Sequence, residues 1–545
     1  MSLNLAKPRN LPSLFKGLIT FEHTLTAIFF ILGLIGINHH EIWRDEFQAW
    51  LIARDSQSIL ELLTHIGNEG HPGLWHLCLY GLSHLTHNPF AMQLFHLLIA
   101  AGTVYLFAKY SPFTTAQKTL FAFGYFPFFE YAIISRNYGL GILFTFLCCT
   151  FFSSRSKRLL PIAVILALLA NTSPYGLIFS FIFWLILLFN QIDGFSHLRH
   201  FSSLINRSFI SASGFVFTSW IIAVLQMIPA LRNKPVVRPV EAVQTHLPTT
   251  HPLLEESIRM GRAFTTIWKS YVPLPNFFQY DFWNTNILSE KISFLPTIGG
   301  EVGSASDILS FLFSAALFLI AVKILIKKPL ILFIYLTGSF ALVLFSYLIF
   351  FGALRHHGHL FIWFLTCLWL SKSIPSKTSN NLSNESGRFG DRFAKKFLTV
   401  LLLIHAVSGI FAYRMDLVHP FSMSQATASY IKTHNLANLV TIGTRDKEVT
   451  AIAGYLDKEI YYPEIERFSS FWGRRRRELL DNQRLFQAIE KLASSDETQI
   501  LLILTNELDS SPADIKVEKV AHFQGGIVSA EKYYLYLANK IRVNT

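Results

Sequence analysis

The sequence predicts a mainly α-helical, polytopic transmembrane bundle with a small water-soluble α/β domain at its C-terminal end. Of the 545 residues, 51% are hydrophobic and only 15% are charged, which is not the composition of a soluble protein. The 51 phenylalanines include adjacent pairs inside long apolar stretches, for which lipid is the natural solvent. From about residue 425 the pattern changes to short strands and amphipathic helices, which indicates a separate folded unit.

About eleven stretches are apolar and long enough to cross the bilayer, which takes roughly 20 helical residues each. Lys and Arg cluster in every second loop between these stretches, as in the cytoplasmic loops of multi-pass proteins. This alternation holds only if the apolar segment 71–86 is a helix at the membrane interface, not a span. The predicted spans are 18–38, 91–109, 119–135, 138–153, 159–173, 174–190, 208–230, 306–326, 329–351, 358–371 and 397–413.

The charge pattern places the N-terminus, residues 1–17, in the cytoplasm of a multi-pass protein of the cell membrane. The predicted transmembrane domain covers 18–420 and the extracytoplasmic α/β domain covers 421–545. Within the transmembrane domain, long outer loops are expected at 39–90 and 231–305, and a flexible, Ser- and Asn-rich cytoplasmic linker at 372–396.

Composition also argues against two other classes of protein. The net charge of +12 is spread over short clusters between apolar segments, so it indicates membrane topology and contact with membrane lipids, not a nucleic-acid partner. The cysteines show neither paired nor metal-ligand spacing, and we interpret them as small buried hydrophobic residues. They are Cys78, Cys148, Cys149 and Cys367.

Two adjacent carboxylates, Asp45 and Glu46, follow the first span within a few residues and have Trp43 and Trp50 beside them. One interpretation is a charge pair at a helix N-terminus, with the tryptophans as interface anchors. The other is a general base or metal ligand. A carboxylate beside a low-dielectric boundary is expected to have a raised pKa, which suits proton abstraction from a sugar or lipid hydroxyl.

Polar residues at two further predicted span ends point to the same outer face. Glu69 and His71 lie in a turn before the interfacial segment, either as metal or hydrogen-bonding ligands or as parts of a plain turn. Arg136, with Tyr138 close by, lies between two apolar runs. There it either clamps a lipid-linked phosphate or reaches out to lipid headgroups.

A run of four cation-capable side chains occupies a predicted outer turn late in the chain. Arg355, His356, His357 and His359 have only apolar residues on both sides. This grouping favours an anion site over a packing element, and the three imidazoles at this spacing are only a weak metal signal.

The second outer loop is expected to contain an amphipathic helix at about 253–268, followed by an aromatic, proline-punctuated segment from Tyr271 to Trp283. That segment is interpreted either as a mobile flap over a lipid or sugar site or as an interface anchor. The run Arg474–Arg477 in the C-terminal domain is expected to be a solvated helix face, with headgroup contact as the alternative.

These motifs resemble the GT-C superfamily of membrane glycosyltransferases, in the family 39-like branch of protein O-mannosyltransferases and lipid A aminoarabinose transferases. The resemblance covers roughly residues 18–420 by architecture and rests on three motifs. They are Asp45-Glu46 after the first span, the turn Glu69-Gly70-His71-Pro72, and Ser135-Arg136-Asn137. The resemblance implies that Asp45 is the catalytic base or orients it, and that Glu69 and His71 contact the donor or a metal. The sequence departs from the family pattern in having Pro72-Gly73 where two prolines are expected and in lacking an aspartate shortly after Arg136.

The expected function is transfer of a sugar, with inversion, from a polyprenyl-phosphate donor to a lipid, glycan or protein acceptor on the extracytoplasmic face. Asp45 and Glu46 are the expected catalytic pair. The expected donor and substrate contacts are Arg136, Tyr138, Arg355, His356, Glu69 and His71. The cofactor stays open between none and a divalent metal ion, with Asp45, Glu69 and His71 as candidate ligands.

Two functions from other classes remain as alternatives: a multi-pass transporter or lipid flippase, and a non-catalytic cell-envelope scaffold. Transporters usually carry ionisable groups near the membrane midplane and show repeated halves. Here the candidate charges lie at span ends and the sequence shows no internal repeat of fixed period, which favours the enzyme.

Overall fold

Long apolar stretches of this sequence fold as helices, because a backbone in lipid must satisfy its hydrogen bonds within each segment. A computed structural model describes residues 20–67, 69–152, 159–193, 207–232, 252–288, 305–373, 385–473, 482–493 and 498–540. Within these residues, six helices are long and apolar enough to cross a membrane, and three more apolar helices are shorter. The predicted class, a multi-pass helical membrane protein with a small C-terminal sheet, is confirmed.

Helical structure is present at every one of the predicted spans. The helices up to residue 170 are α1 (Phe21–His39), α2 (Arg44–Asp55), α3 (Ile59–Ile66), α4 (Leu74–Ser83), α5 (Phe90–Tyr110), α6 (Thr115–Ala122), a π-helix (Tyr125–Ile133), α7 (Tyr138–Phe152) and α8 (Leu159–Ala170). The helices that follow are α9 (Pro174–Asp193), α10 (Arg207–Arg232), α11 (Pro252–Tyr271), α12 (Ala305–Leu325), α13 (Pro329–Leu348), α14 (Leu354–Ser373) and α15 (Glu385–Val418).

The predicted span 119–135 is not one continuous α-helix. It consists of the end of α6 and the π-helix, with Gly124 between them. Pro127 lies inside the π-helix, where its missing N–H could not support regular α-helical hydrogen bonding. All nine π-helical residues are buried, so the irregular segment lies wholly inside the bundle.

Two glycines allow neighbouring helices to approach this irregular segment closely. A Cβ atom at Gly409 of α15 would lie 2.5 Å from the carbonyl oxygen of Phe123. A Cβ atom at Gly358 of α14 would lie 2.5 Å from the hydroxyl of Tyr131. Both distances are too short for a side chain, so the packing of α14 and α15 on the π-helix depends on glycine at these positions.

The polar segment expected to be a flexible linker at 372–396 is partly helical. Helix α15 begins at Glu385, twelve residues before the predicted span 397–413. The side-chain amide of Gln117 donates to the carbonyl of Lys395 and to the hydroxyl of Thr399. These bonds attach the part of α15 around the start of the predicted span to α6. Residues 374–384 lie outside the described residues.

The first long loop is a folded layer made of α2, α3 and α4. Helix α4 has ten residues, too few to cross a bilayer, in agreement with an interfacial position for segment 71–86. In the second long loop the predicted amphipathic helix is present as α11 and is followed by irregular chain from 272 to 288. The parts of that loop at 233–251 and 289–304 lie outside the described residues, as does Arg474–Arg477.

The C-terminal unit is a six-stranded mixed sheet with the strand order β3-β2-β1-β4-β6-β5. The parallel pairs β1–β2 and β1–β4 form its centre, and the remaining pairs are antiparallel. Helices α16 and α17 cover one face and α18 the other, which buries all five residues of β4. The elements are α16 (Ser424–Thr433), β1 (Val440–Gly443), α17 (Asp446–Leu456), β2 (Ile460–Tyr462), β3 (Arg467–Ser469), α18 (Asn482–Leu492), β4 (Ile500–Leu504), β5 (Ile515–Phe523) and β6 (Tyr533–Lys540).

This C-terminal domain packs directly on α2. The ring of Phe47 lies against Gly454 of α17, where a Cβ atom would be 2.2 Å from the ring. The same ring meets Tyr455 edge-on, with 4.7 Å between the ring centroids. The carboxamide of Gln48 pairs with the backbone of Trp472, at 2.9 and 3.1 Å. Helix α2 is therefore sandwiched between the bundle and the C-terminal domain.

Replacing Gly409 by alanine is expected to destabilise the protein, because the new methyl group has no room beside the π-helix. Overpacking of this kind costs about 1–3 kcal/mol. Thermal melting in detergent measures the effect. Gly261→Ala in α11 is the matched control, since nothing lies within 4 Å of its Cβ position and alanine favours helix. Equal melting temperatures for the two variants would contradict the close approach.

Candidate functional site

Asp45 is the second residue of α2, and its side chain lies between two guanidinium groups. An Nη atom of Arg355 is 3.2 Å from Oδ2 of Asp45, and an Nη atom of Arg136 is 3.7 Å from the same oxygen. Arg136 also donates to the backbone carbonyl of Asp45. The three side chains are 11–14% exposed, so the cluster is partly open to solvent. Residues that are distant in sequence thus meet at one end of the bundle.

The expected raised pKa of Asp45 is wrong. Burial by itself would raise the pKa, but the charges of Arg136 and Arg355 outweigh it and lower the pKa below the usual aspartate value. Lys447 and Arg44 act in the same direction with smaller contributions. Asp45 is therefore a carboxylate at neutral pH, and its basicity depends on what else binds the two arginines.

The guanidinium of Arg355 contacts the rings of two tryptophans, which are nearly perpendicular to each other. Its guanidinium carbon lies 5.4 Å from the ring centroid of Trp43 and 5.1 Å from that of Trp283. Its backbone carbonyl accepts a 2.6 Å hydrogen bond from the hydroxyl of Tyr131. Arg355 thus has cation–π contacts with both tryptophans and an ion pair with Asp45.

Glu46, expected as a catalytic partner of Asp45, is fully buried and bonded on both oxygens. One oxygen accepts a 2.6 Å bond from the backbone N–H of Ser135. The other lies 3.1 Å from Nε2 of His40 and also accepts from the N–H of Trp43, at 3.3 Å. These contacts tie the start of α2 to the turn that carries Arg136.

His40 connects Glu46 to the end of α15. Its Nδ1 lies 3.0 Å from a carboxylate oxygen of Asp416, so the imidazole has a carboxylate at each ring nitrogen. Burial alone lowers the pKa of His40, but Asp416 and Glu46 together raise it well above its usual value. The imidazolium donates to both carboxylates, and the three side chains form one buried ionic chain.

Glu69 and His71 lie on the Arg136 side of the cluster. The carboxylate of Glu69 accepts a 2.9 Å bond from the amide of Gln48 and attracts Arg136 electrostatically. The His71 ring meets the ring of Tyr138 edge-on at 6.1 Å. The turn predicted as a ligand-bearing segment therefore does border the cluster.

The three imidazoles after Arg355 are buried and bonded within the protein. The predicted outer turn is the start of α14, and all three histidines are buried there. Nδ1 of His356 accepts from the backbone N–H of Ala353, so Nε2 carries the proton and donates to the hydroxyl of Tyr138, at 2.7 Å. His357 and His359 bond to backbone carbonyls. In this turn the positive charge comes from Arg355.

The candidate metal ligands do not converge. Among the described residues, no group of three or more His, Cys, Asp or Glu side chains has an arrangement suited to a metal ion. Asp45 is paired with two arginines and Glu69 accepts a bond from Gln48. Carboxylates with these partners are not preorganised to bind a cation.

The sequence patterns missed one buried carboxylate beside the cluster. Glu130 of the π-helix accepts bonds from the hydroxyl of Tyr125, at 2.9 Å, and from the indole N–H of Trp283, at 3.0 Å. It thereby fixes the tryptophan that covers Arg355. A signal for it existed, because an ionisable residue inside an apolar stretch is rare unless it has a function.

The comparison with solved structures finds similar chains, whereas the two sequence comparisons find none. No family model matches the chain, and no curated protein does. A crystal structure of ArnT from Cupriavidus metallidurans bound to undecaprenyl phosphate aligns over 94% of this chain and 97% of that one, with 9% identity and a TM-score of 0.45. A TM-score this low carries no argument about function, which we therefore base on the site.

Replacing His40 by glutamine is expected to destabilise the protein by about 3 kcal/mol or more, because two buried carboxylates lose their shared cation. The stability that His40 contributes is present at low pH and is lost as pH rises through its raised pKa. The gap between the melting temperatures of the parent and the variant should therefore shrink as the pH rises above the ordinary histidine pKa of about 6.5.

The control for this experiment is His434→Gln, at an exposed position in the C-terminal domain. It is expected to melt like the parent at every pH. A gap for His40→Gln that stayed constant or widened with pH would contradict a protonated His40.

Proposed function

We propose that this chain is an integral-membrane glycosyltransferase that moves a sugar from a polyprenyl-phosphate donor to a hydroxyl-bearing acceptor. The observation that carries the proposal is the Asp45 carboxylate held between Arg136 and Arg355 in a partly open cluster. A base and two cations suit a reaction in which a hydroxyl loses a proton and a phosphate leaves.

In the proposed step Asp45 takes the proton of the acceptor hydroxyl. The hydroxyl oxygen forms a bond to the anomeric carbon of the sugar while the bond from that carbon to the phosphate oxygen breaks. The electron pair of the broken bond goes to the phosphate, which leaves as polyprenyl phosphate with one more negative charge. Attack opposite the leaving group inverts the anomeric centre. Arg136 and Arg355 stabilise the developing charge, since guanidinium groups match phosphate geometry.

The two arginines give the base a way of responding to the donor. While they pair with Asp45, its lowered pKa makes it a weak base. A donor phosphate that binds the same guanidinium groups adds negative charge and competes for their hydrogen bonds. The pKa of Asp45 then rises, because its stabilising charges are shared. In this proposal Asp45 becomes an effective base only with the donor present.

Glu46 acts in the proposal as a positioning residue. Both of its oxygens are occupied by His40 and by backbone N–H groups, and it has no exposed surface. We assign the proton transfer to Asp45 alone. Glu69, His71, Tyr138 and His356 are assigned to the wall of the donor site beside Arg136, and no step is routed through a metal ion.

The segment 272–288 is proposed to cover the site. Trp283 at its end packs on Arg355 and is bonded to Glu130, which anchors the segment beside the reacting groups. Trp43 is buried and packs against Trp283, with 4.7 Å between the ring centroids, so it supports the tryptophan that contacts Arg355.

We infer that the site opens on the extracytoplasmic side. Basic residues gather at the opposite end of the bundle. Lys395 lies there beside Gln117, and the side chain of Lys328 bonds to the carbonyl of Ser371. Lys372 pairs there with Asp391 at 3.5 Å. Cytoplasmic ends of spans are the ones that carry such excess lysine and arginine.

Asp45→Asn is expected to give a folded protein whose transfer rate is about 10²–10⁴ lower, because asparagine cannot accept the proton. The assay is transfer of labelled sugar by the purified protein in detergent or proteoliposomes. Asp55→Asn, the other aspartate of α2, is the matched control and should keep the parental rate, since its carboxylate bonds to Arg54. Parental activity in Asp45→Asn would refute Asp45 as the base.

Arg355→Gln is expected to change the pH dependence of kcat/KM as well as its size. Removing this charge raises the pKa of Asp45 in the free enzyme, so the acid limb of the profile moves to higher pH. Arg259→Gln removes a peripheral arginine that pairs with Glu256 and serves as the control. An acid limb that stayed in place would show that Asp45 is not the titrating base.

A further inference from the structure

The C-terminal domain holds a buried carboxylate that the proposed reaction does not use. Glu531 lies just before β6, and its side-chain carboxylate is fully buried although it belongs to a domain outside the helical bundle. A buried carboxylate is costly unless hydrogen bonds and charges compensate it. The partners of Glu531 therefore show what it does.

One oxygen of Glu531 holds the first residue of α2. Oε1 accepts a 3.2 Å hydrogen bond from the backbone N–H of Arg44 and lies 3.7 Å from Nε of the same residue. The first amides of a helix have no partner within the helix, and the helix dipole favours negative charge there. Glu531 satisfies one of these amides from another domain. The next residue along the chain is Asp45.

The other oxygen fixes Glu531 itself. Oε2 accepts from the hydroxyls of Ser422 and Ser424. The Ser424 hydroxyl is also 2.8 Å from that of Tyr533, which donates to the backbone carbonyl of Glu448. The carboxylate is therefore held rigidly by the C-terminal domain.

Arg44 has a second partner in the same domain, because one of its Nη atoms lies 3.0 Å from a carboxylate oxygen of Glu448. The C-terminal domain thus binds Arg44, the residue before Asp45, through both its backbone amide and its guanidinium. Glu46, the residue after Asp45, is bonded to His40 and Ser135 of the bundle. The base lies between two anchors.

We propose that Glu531 is a positioning residue, through which the C-terminal domain sets the orientation of Asp45 in the transferase site. This inference rests on the proposed function and gives the C-terminal domain a role in catalysis. Glu531 does not touch the reacting atoms. It acts on them by fixing the backbone of α2 one residue before the base, where an error of about 1 Å costs on the order of 100-fold in rate.

The test separates positioning of Asp45 from docking of the domain. Burial raises the pKa of Glu531 to about 7, so it is ionised only in part at neutral pH. Glu531→Gln keeps an acceptor for the Arg44 amide but cannot ionise, and Glu531→Ala removes the acceptor as well. Asp457→Asn is the control for docking, because Asp457 pairs with Arg54 at 2.6 Å near the far end of α2. Each variant is purified full-length and assayed for kcat and KM of sugar transfer beside the parent and Asp45→Asn.

We expect kcat to fall about tenfold in Glu531→Gln and about 100-fold in Glu531→Ala, with KM for the donor within about twofold of the parent. Asp457→Asn should keep the parental kcat. Hydrogen exchange should show faster exchange in the first turn of α2 for Glu531→Ala but not for Asp457→Asn. General destabilisation would not lower kcat more in Glu531→Ala than in Glu531→Gln while leaving kcat in Asp457→Asn unchanged.

Ser422→Ala is the milder variant to be used if the Glu531 variants do not fold, and it should lower kcat by a few-fold while leaving KM in place. Equal loss in Asp457→Asn and Glu531→Gln, or parental kcat in folded Glu531→Ala, would overturn the inference. If the parent transfers sugar and Asp45→Asn does not, such a result leaves the proposed function intact. Parental activity in Asp45→Asn would instead refute the function itself.

Discussion

Asp45 keeps its charge at the edge of an apolar bundle because two guanidinium groups offset the cost of burying it. Taking any of these charges out of water alone would cost several kcal/mol, so each is tolerated only with the others present. The three residues come from the first loop, the turn before α7 and the start of α14. These three parts of the chain must therefore meet for the charges to be compensated. The charged cluster and the packing of the bundle depend on each other.

The buried chain Asp416–His40–Glu46 extends this constraint across the bundle. It joins the end of α15 to the start of α2, and Glu46 continues it to the backbone of Ser135. Since an imidazolium between two carboxylates has strict geometry, the chain fixes the first loop against the spans beneath it. The position of Asp45 is fixed through the next residue, Glu46, whose carboxylate is fully bonded to His40 and to backbone N–H groups.

The C-terminal domain and the first loop share a packed and hydrogen-bonded interface. Phe47 fills the space over Gly454, Gln48 pairs with the backbone of Trp472, and Glu531 holds the amide of Arg44. These contacts bury one side of α2 in a domain that lies some 400 residues further along the chain. A transmembrane domain without this partner would present an incomplete loop, which gives a physical reason for the soluble domain to be part of the same polypeptide.

The sequence by itself determined the membrane class and the position of the apolar helices, because lipid excludes charge. It also singled out Asp45, Arg136 and Arg355 as candidates, because a charged residue at the end of an apolar stretch stands out. It could not give the lowered pKa of Asp45, the burial of Glu46 and His356, or the contacts of Glu130 and Glu531. The same holds for the π-helix and the early start of α15. Only the tertiary structure decided these, since each depends on partners far away in sequence, and a local pattern contains no distances between them.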